Sequence, residues 1–265
     1  MLNFKAILNY LKPTTVIISS RYVSNTTNKN LILLSTTNNV TRMTLNNPKK
    51  LNGWDFAMMA RMKECFQILR KDDETKVVLL TGSDPYYGAG ANLSGYITLK
   101  HPKTFHAEAR DGNEELFNNF LDFPKPILVA ANGPALGATV TASTLCDGIL
   151  ASERATFLTP FVKLKVPAEG CSSVHFERIL GKDGADRMLL KGEKISAKDA
   201  KEIGLVMDVV PHEDLLQGRV GNVVKFIHSM RIKDSYYFSN RLWIKIGTLF
   251  LQKNSLCLSF CDINK

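Results

Sequence analysis

Hydrophobic positions along the chain follow two periods, one typical of strands and one typical of helices. Short apolar runs bounded by turn residues predict strands at residues 31–36, 40–45, 76–81, 126–131, 147–152, 155–158 and 205–211. Apolar residues at helical spacing predict helices at residues 54–70, 105–121, 138–146, 169–180, 182–191, 195–204 and 212–230. Strands that alternate with helices in this way indicate an α/β domain with substantial parallel pairing.

The stretch from Asn132 to Asp147 lies at the centre of this pattern. It follows the apolar run 126–131 and contains Gly137, after which a helix of small residues begins. A strand, a glycine-containing turn and a helix leave backbone N–H groups without acceptors at the helix N-terminus, and such groups suit a negative charge. We therefore expect an anion to bind at this turn.

Composition narrows the classes of partner. The chain has 265 residues and a formal charge of +9, but residues 51–229 hold 21 basic and 23 acidic residues, so the excess of positive charge belongs to the two ends. A body without a basic excess argues against nucleic-acid binding. No apolar run reaches 18 residues, so we predict no membrane span. The five cysteines are odd in number and lack zinc-site spacing, which favours a reducing compartment without a disulfide framework, and we predict no metal site.

Residues 1–30 are basic, contain no acidic residue and are rich in Ser, Thr and Asn, which is the composition of a mitochondrial transit segment. The alternative is a disordered extension that carries no address. The sequence thus divides into a transit segment (1–30), a folded domain (31–230) and a C-terminal segment (231–265).

Four motifs occur in order along the folded domain. They are Asn46-x-Pro-Lys-Lys-x-Asn52, Gly88-Ala-Gly-Ala-Asn-Leu93, the stretch from Lys125-Pro to Asp147, and Ile195-Ser-Ala-Lys-Asp-Ala-x-x-x-Gly-Leu-Val206. Together they resemble the crotonase (enoyl-CoA hydratase/isomerase) superfamily. Two further segments, Arg154-Ala-Thr-Phe-x-Thr-Pro-Phe161 and Pro167-Ala-Glu-Gly-Cys-Ser-Ser173, resemble its peroxisomal-type Δ3,Δ2-enoyl-CoA isomerases.

The resemblance implies a ClpP-like crotonase fold, a spiral of ββα units followed by a helical C-terminal region, assembled as a homotrimer. It also implies an acyl-CoA thioester as substrate, with no cofactor. In this superfamily two backbone amides hold the thioester oxygen, and by motif position they are those of Ala91 and Ala138. The anion expected near residue 138 is then an enolate. Removal of one such donor typically costs about 2.7–4 kcal/mol of transition-state stabilisation.

The acid/base residues decide which reaction follows. Where the hydratases of this superfamily carry their two Glu residues, this chain has Thr141 and Phe161, and neither side chain transfers protons near neutral pH. The resemblance to the peroxisomal-type isomerases instead makes Glu169 the catalytic acid/base. A structural alternative is that Glu169 merely opens a helix and complements its dipole. Two influences on its pKa oppose each other, because a helix N-terminus stabilises a carboxylate and an apolar pocket destabilises it.

Seven residues are predicted to bind the substrate because of their positions in these motifs: Lys49, Lys50, Asn52, Gly90, Asn92, Leu93 and Gly137. Cationic Lys49 and Lys50 suit the CoA phosphates, although a solvated surface pair explains them almost as well. The position of Asn92 is often Asp in the family.

The resemblance stops after Met230, where relatives continue with about two helices that cover the acyl pocket. The function it implies is isomerisation of 3-enoyl-CoA to 2-trans-enoyl-CoA in β-oxidation of unsaturated fatty acids, in the mitochondrial matrix or alternatively the peroxisome. The rival functions are a non-catalytic acyl-CoA-binding scaffold, an enoyl-CoA hydratase and, least favoured, RNA binding.

Overall fold

The computed structural model describes residues 29–92 and 101–216. The strands in these ranges are β1 (Ile32–Thr37), β2 (Val40–Leu45), β3 (Val77–Gly82), β4 (Ile127–Ala131), β5 (Ala135–Leu136), β6 (Gly148–Ser152), β7 (Thr156–Leu158), β8 (Ile195–Ser196) and β9 (Asp208–Val210). The α-helices are α1 (Phe56–Lys71), α2 (Pro102–Leu121), α3 (Ala138–Thr144), α4 (Phe161–Leu164), α5 (Ser172–Ala185), α6 (Ala197–Glu202) and α7 (His212–Leu216). No helix in these ranges is long and apolar enough to cross a bilayer.

Six strands form the main sheet, in the order β1-β2-β3-β4-β6-β9. The β1-β2 hairpin is antiparallel, and every later pair of neighbours is parallel. Strands β3 and β4 are buried along their whole length. Their uninterrupted apolar sequences are typical of parallel strands, because such a sheet is covered on both faces. The predicted α/β class with parallel pairing is confirmed.

A smaller sheet contains β5, β7 and β8. An isolated bridge between Gly88 and Ala135 ties the start of this sheet to the loop that follows β3. Strand β5 leads directly through Gly137 into α3. The small sheet therefore brings two of the motifs, the Gly-rich loop and the central stretch, to the same place.

Helix α1 was predicted from the spacing of Met58, Met62, Cys65 and Leu69, and all four side chains are 0% exposed. Its N-cap is Asp55, whose carboxylate accepts a hydrogen bond of 2.9 Å from the Met58 amide. This bond satisfies one of the amides that the first helical turn leaves without an acceptor.

Aromatic side chains form the centre of the core where α1 meets α2. Phe120 stacks on Trp54 with ring centroids 6.1 Å apart, and it meets Phe66 edge-on at 5.0 Å. Phe66 also meets Phe123 edge-on at 5.2 Å. Because Trp54 follows the Asn52 motif, this cluster attaches the motif to the core.

The structure corrects three predicted elements. Helix α5 begins at Ser172 instead of residue 169, because Gly170 and Cys171 both have left-handed φ angles of +62°. Gly181, with a φ of +70°, breaks α5 where the sequence separates the helices predicted at 169–180 and 182–191, but the second of these continues as a π-helical segment, Asp186–Leu190. The last strand is only Asp208–Val210, since Leu205 and Val206 turn into the core. Of the helix predicted at 212–230, only α7 lies within the described residues.

We expect Phe120→Ala to lower the free energy of unfolding by about 3–5 kcal/mol, because truncation of a buried Phe loses its contacts and leaves a cavity. Urea denaturation measures this loss. The matched control is Leu33→Ala on β1, where the side chain is 46% exposed and the change should stay within about 0.5 kcal/mol. Equal losses for the two variants would contradict the placement of Phe120 at the centre of the core.

Candidate active site

The Gly-rich loop after β3 is held by the backbone of Trp54. The Trp54 amide donates to the Gly90 carbonyl at 2.8 Å, and the Asn92 amide donates to the Trp54 carbonyl at 3.0 Å. These two bonds form a parallel bridge between Trp54 and Ala91. In such a bridge the N–H of the central residue points away from the partner strand. The Ala91 amide is therefore directed away from Trp54, and it donates to no backbone carbonyl of the described residues.

The turn before α3 provides a second amide of this kind. Gly137 has a φ of +53°, and its carbonyl accepts from the amides of Val140 and Thr141 at 2.9 and 3.2 Å. The Gly137 amide itself donates to Leu158 at 2.8 Å. Within the described part of the chain, the Ala138 amide donates to no backbone carbonyl.

Gly90 brings these two amides close to each other. It has a φ of +79°, and a Cβ atom at this position would lie 2.6 Å from the Leu136 carbonyl oxygen and 3.5 Å from the Ala138 nitrogen. Only glycine permits both the left-handed backbone and this approach. Gly90, Ala91, Gly137 and Ala138, predicted from two separate motifs, thus lie together.

Asn52 holds the loop with its side chain instead of presenting it to a ligand. The side chain is 0% exposed and uses its full hydrogen-bonding capacity. Its amide nitrogen donates to the carbonyls of Ser83 and Tyr86, each at 2.7 Å. Its oxygen accepts from the Asn47 amide at 2.8 Å and from the Ser83 hydroxyl at 3.0 Å. The Asn52 side chain therefore has no donor or acceptor left for the predicted contact with a substrate.

Two other predicted substrate-binding residues, Lys49 and Lys50, lie on the surface. Lys49 and Lys50 are exposed on the 3-10 turn Pro48–Lys50, and Lys50 forms an ion pair of 3.0 Å with Asp55. Asn92 is half-buried beside Ala91, and Leu93 lies outside the described residues. The lysines are thus accessible to an anionic ligand, and their role stays a prediction.

Glu169 lies in the turn before α5, and three contacts fix this turn. The Ser172 hydroxyl donates to the Glu169 carbonyl at 2.6 Å. A Cβ atom on Gly170 would lie 2.6 Å from the Phe117 ring and 2.7 Å from the Thr141 hydroxyl oxygen, so the turn packs directly on α2 and α3. Because Thr141 lies one helical turn after Ala138, Glu169 is placed beside the helix whose first amide has no backbone acceptor.

His175 ties α5 to the end of α3. Its Nε2 lies 2.9 Å from the Thr144 carbonyl oxygen, and the side chain is only 4% exposed. Burial lowers the pKa of His175. Because a carbonyl oxygen only accepts, Nε2 carries the hydrogen of this bond. This contact makes His175 part of the packing between α5 and α3.

Burial raises the pKa of Glu169 to about 6, because the carboxylate loses hydration in its partly enclosed position. A hydrogen bond from Asn113 on α2 acts in the opposite direction and limits the rise. From the sequence, the α5 dipole and burial were expected to shift the pKa of Glu169 in opposite directions. The dipole has less influence on this pKa than expected, because α5 begins three residues after Glu169.

The two positions of the hydratase acids contain no ionisable group. Thr141 is 0% exposed, and its hydroxyl donates to the Ala138 carbonyl at 3.2 Å. Phe161 is 4% exposed at the start of α4. The two positions therefore offer no second acid or base to partner Glu169.

Sequence reasoning missed residues that connect the two loops. Thr139 and the pair Tyr87–Ser143 join the Gly-rich loop to α3 through side-chain hydrogen bonds. Asn113, the hydrogen-bond partner of Glu169, was missed as well. Thr139 and Ser143 lie in the motif stretch 125–147, but the sequence does not indicate their partners, which are more than 50 positions away.

Residues 35–235 match the family model described as enoyl-CoA hydratase/isomerase. The chain therefore belongs to the enoyl-CoA hydratase/isomerase family, and its fold is the crotonase fold expected from the motifs.

Among relatives, enoyl-CoA delta isomerase 2 of Rattus norvegicus is 37% identical over 183 residues, which cover 68% of this chain and 46% of the relative. The 2,3-dehydroadipyl-CoA hydratase of Escherichia coli (strain K12) is 31% identical over 186 residues, which cover 70% and 71%. The chain spans about half the length of the delta isomerase 2 relative. A solved enoyl-CoA hydratase from Bacillus anthracis superposes with a TM-score of 0.67 at 26% identity, covering 74% of this chain and 76% of the other.

We expect Glu169→Gln to stabilise the protein at pH 8. A raised pKa means that the ionised carboxylate is less favourable in the folded than in the unfolded chain, so the penalty is present above about pH 6. It disappears below about pH 4, where the acid is protonated in both states. The melting temperature of the variant should exceed that of wild type at pH 8 and converge with it at pH 4.

The matched control for this comparison is Glu177→Gln, an exposed position on α5 that carries the same charge change. Its melting temperature should follow that of wild type at both pH values. Stabilisation by Glu177→Gln but not by Glu169→Gln would contradict the burial of Glu169.

Proposed function

We propose that the protein isomerises 3-enoyl-CoA thioesters to 2-trans-enoyl-CoA, with Glu169 as the single acid/base. The observation that carries this proposal is the position of Glu169. Its turn packs on Thr141, one helical turn after Ala138, while Thr141 and Phe161 replace the two hydratase acids. One carboxylate is sufficient for an isomerase, whereas hydration in this family uses two.

The proposed reaction moves one proton and one double bond. The Glu169 carboxylate removes a proton from C2 of a 3-enoyl thioester, and the electron pair of that C–H bond moves into the conjugated system. The negative charge collects on the thioester oxygen, giving a dienolate. The protonated Glu169 then returns the proton to C4, and the double bond forms between C2 and C3.

The amides of Ala91 and Ala138 are the proposed oxyanion hole. They belong to adjacent loops and lack backbone acceptors among the described residues, so a thioester oxygen between them could accept from both. Donors fixed by the backbone require no reorganisation when charge develops on that oxygen. Substitution of the side chain at either alanine does not remove the donor.

The pKa of Glu169 suits this role. A value of about 6 leaves the carboxylate ionised at neutral pH and makes it more basic than an exposed glutamate. General acid/base catalysis is most effective when the pKa of the group lies near the working pH, and it contributes about 10²–10⁴-fold.

The proposed substrate, cofactor, oligomeric state and location are those that the family resemblance implies. The substrate is an acyl-CoA, for which exposed Lys49 and Lys50 offer positive charge to phosphates. We propose no cofactor, a homotrimer, and a mitochondrial location with the peroxisome as the alternative. One of the relatives is named enoyl-CoA delta isomerase 3, peroxisomal, of Mus musculus, at 36% identity over 68% of this chain and 57% of the relative.

The direct test is turnover of 3-hexenoyl-CoA by wild type and by Glu169→Gln. We expect wild type to form 2-trans-hexenoyl-CoA and the variant to lose about 10²–10⁴-fold in kcat, because the amide accepts no proton at neutral pH. Glu177→Gln keeps the acid at 169 and should retain wild-type kcat.

Two outcomes would contradict the proposal. Equal rates for wild type and Glu169→Gln would remove the role of Glu169. Hydration of 2-trans-hexenoyl-CoA by wild type, without isomerisation of 3-hexenoyl-CoA, would identify a hydratase instead.

The pH dependence gives an independent check on the proposed base. Because Glu169 must be ionised to accept the C2 proton, log kcat/KM should fall with unit slope as the pH drops below about 6 and level off above it. The measurement is initial rates of 3-hexenoyl-CoA isomerisation between pH 5 and pH 8. A profile that stays flat down to pH 5 would contradict a base with this pKa.

A further inference from the structure

The hydroxyl group of Thr139 lies between the two loops of the candidate site. Thr139 is 0% exposed and is the second residue of α3, directly after Ala138. Its oxygen is 2.9 Å from the Gly88 carbonyl oxygen and 2.8 Å from the Leu136 carbonyl oxygen. It also accepts a hydrogen bond of 3.0 Å from the Leu136 amide. One side chain thus contacts both loops through their backbones.

Backbone bonds also join the two loops here, since the Tyr87 and Gly88 amides donate to the Pro134 carbonyl at 3.1 and 3.2 Å. The Leu136 amide reaches the Gly88 carbonyl at 2.9 Å, so this carbonyl has both the Leu136 amide and the Thr139 hydroxyl as neighbours. A Cβ atom on Gly88 would lie 2.6 Å from the Thr139 methyl carbon. The methyl group therefore fills the space beside Gly88 while the hydroxyl bonds to its carbonyl.

A second side-chain contact supports the same connection from one turn further along α3. The Tyr87 hydroxyl lies 3.1 Å from the Ser143 hydroxyl oxygen, and Tyr87 is 1% exposed. Tyr87 and Gly88 are consecutive, so this part of the Gly-rich loop is attached to α3 at two points.

We propose that Thr139 is a positioning residue that sets the separation of the Ala91 and Ala138 amides. Gly88 is three residues before Ala91, and Leu136 is two residues before Ala138. The Thr139 hydroxyl can donate to the Gly88 carbonyl while it accepts from the Leu136 amide. These two bonds limit the movement of the Ala91 amide relative to the Ala138 amide. This inference rests on the proposed function, since it assigns the two amides to one oxyanion.

A purely local role for the hydroxyl is the competing explanation. A Thr near the start of a helix often bonds to the backbone of the preceding turn, and the contacts with Leu136 alone would fit that pattern. The bond to Gly88 crosses 51 positions in sequence and does not fit it. The two explanations differ in whether loss of the hydroxyl weakens the stabilisation of the enolate of a bound thioester.

The experiment compares Thr139→Val, which removes the hydroxyl at nearly constant shape, with Thr139→Ser, which keeps it. Thr139→Ala is a second hydroxyl-free variant, and all measurements are made below the lowest melting temperature. We expect kcat for 3-hexenoyl-CoA to fall about tenfold or more in the Val and Ala variants with KM within about twofold, because misplaced donors weaken transition-state stabilisation. Thr139→Ser should restore kcat.

The matched control is Thr41→Val on β2. Thr41 is also 0% exposed, and its hydroxyl bonds to that of Thr75 at 2.6 Å in another part of the fold. It tests the effect of losing a buried hydroxyl without contact to either loop, and kcat should stay at the wild-type value.

A second readout does not depend on turnover. Acetoacetyl-CoA has an acidic C2, and its enolate absorbs ultraviolet light more strongly than the keto form. Wild type and Thr139→Ser should raise the enolate fraction of the bound ligand, whereas Thr139→Val and Thr139→Ala should raise it about tenfold less.

The results separate this inference from the proposed function. Unchanged kcat and unchanged enolate absorbance in both hydroxyl-free variants would overturn the role of Thr139, even if wild type is an isomerase. If wild type does not isomerise 3-hexenoyl-CoA, the proposed function fails, and the enolate measurement alone decides whether Thr139 positions the two amides.

Discussion

The contact between Gly90 and the Leu136–Ala138 turn fixes the geometry of the candidate site. Two loops from different sheets approach so closely that a Cβ atom on Gly90 would be 2.6 Å from a carbonyl oxygen. A similarly close approach occurs earlier in the same two loops, where a Cβ atom on Gly133 would lie 2.1 Å from the Pro85 carbonyl oxygen. Glycine allows these contacts because it has no side chain. The buried amide of Asn52 and the hydroxyl of Thr139 then bond to the loops and hold them in place.

The sequence predicted the elements that have a periodic apolar pattern and the residues that belong to motifs. Apolar runs located β3 and β4, and helical spacing located α1, because a buried face imposes a regular pattern on the chain. The motifs located Ala91 and Ala138 in loops that are now seen to be adjacent. For Asn52 the motif predicted importance but not the bonds, since a motif does not distinguish a side chain that contacts a ligand from one that holds the backbone.

The remaining parts depend on tertiary contacts that leave no local signal. Cys171 follows Gly170 in a left-handed conformation that a cysteine does not indicate, so the start of α5 was placed three residues early. A polar chain at the ends of three neighbouring strands was also not predicted. In it the Asn132 amide donates to Asp84 at 2.8 Å, and His212 lies 3.1 Å from both Asp84 and Ser152. These residues come from four segments of the chain, and only the folded structure brings them together.

The burial of Glu169 sets the basicity of the carboxylate that the proposed isomerisation needs. Its turn packs on Phe117 and Thr141, and neither of these residues is an acid. Its raised pKa therefore comes from lost hydration instead of from repulsion by a like charge, and the Asn113 hydrogen bond keeps it at about 6. In the proposed isomerisation, one carboxylate of this basicity takes the C2 proton and returns it to C4.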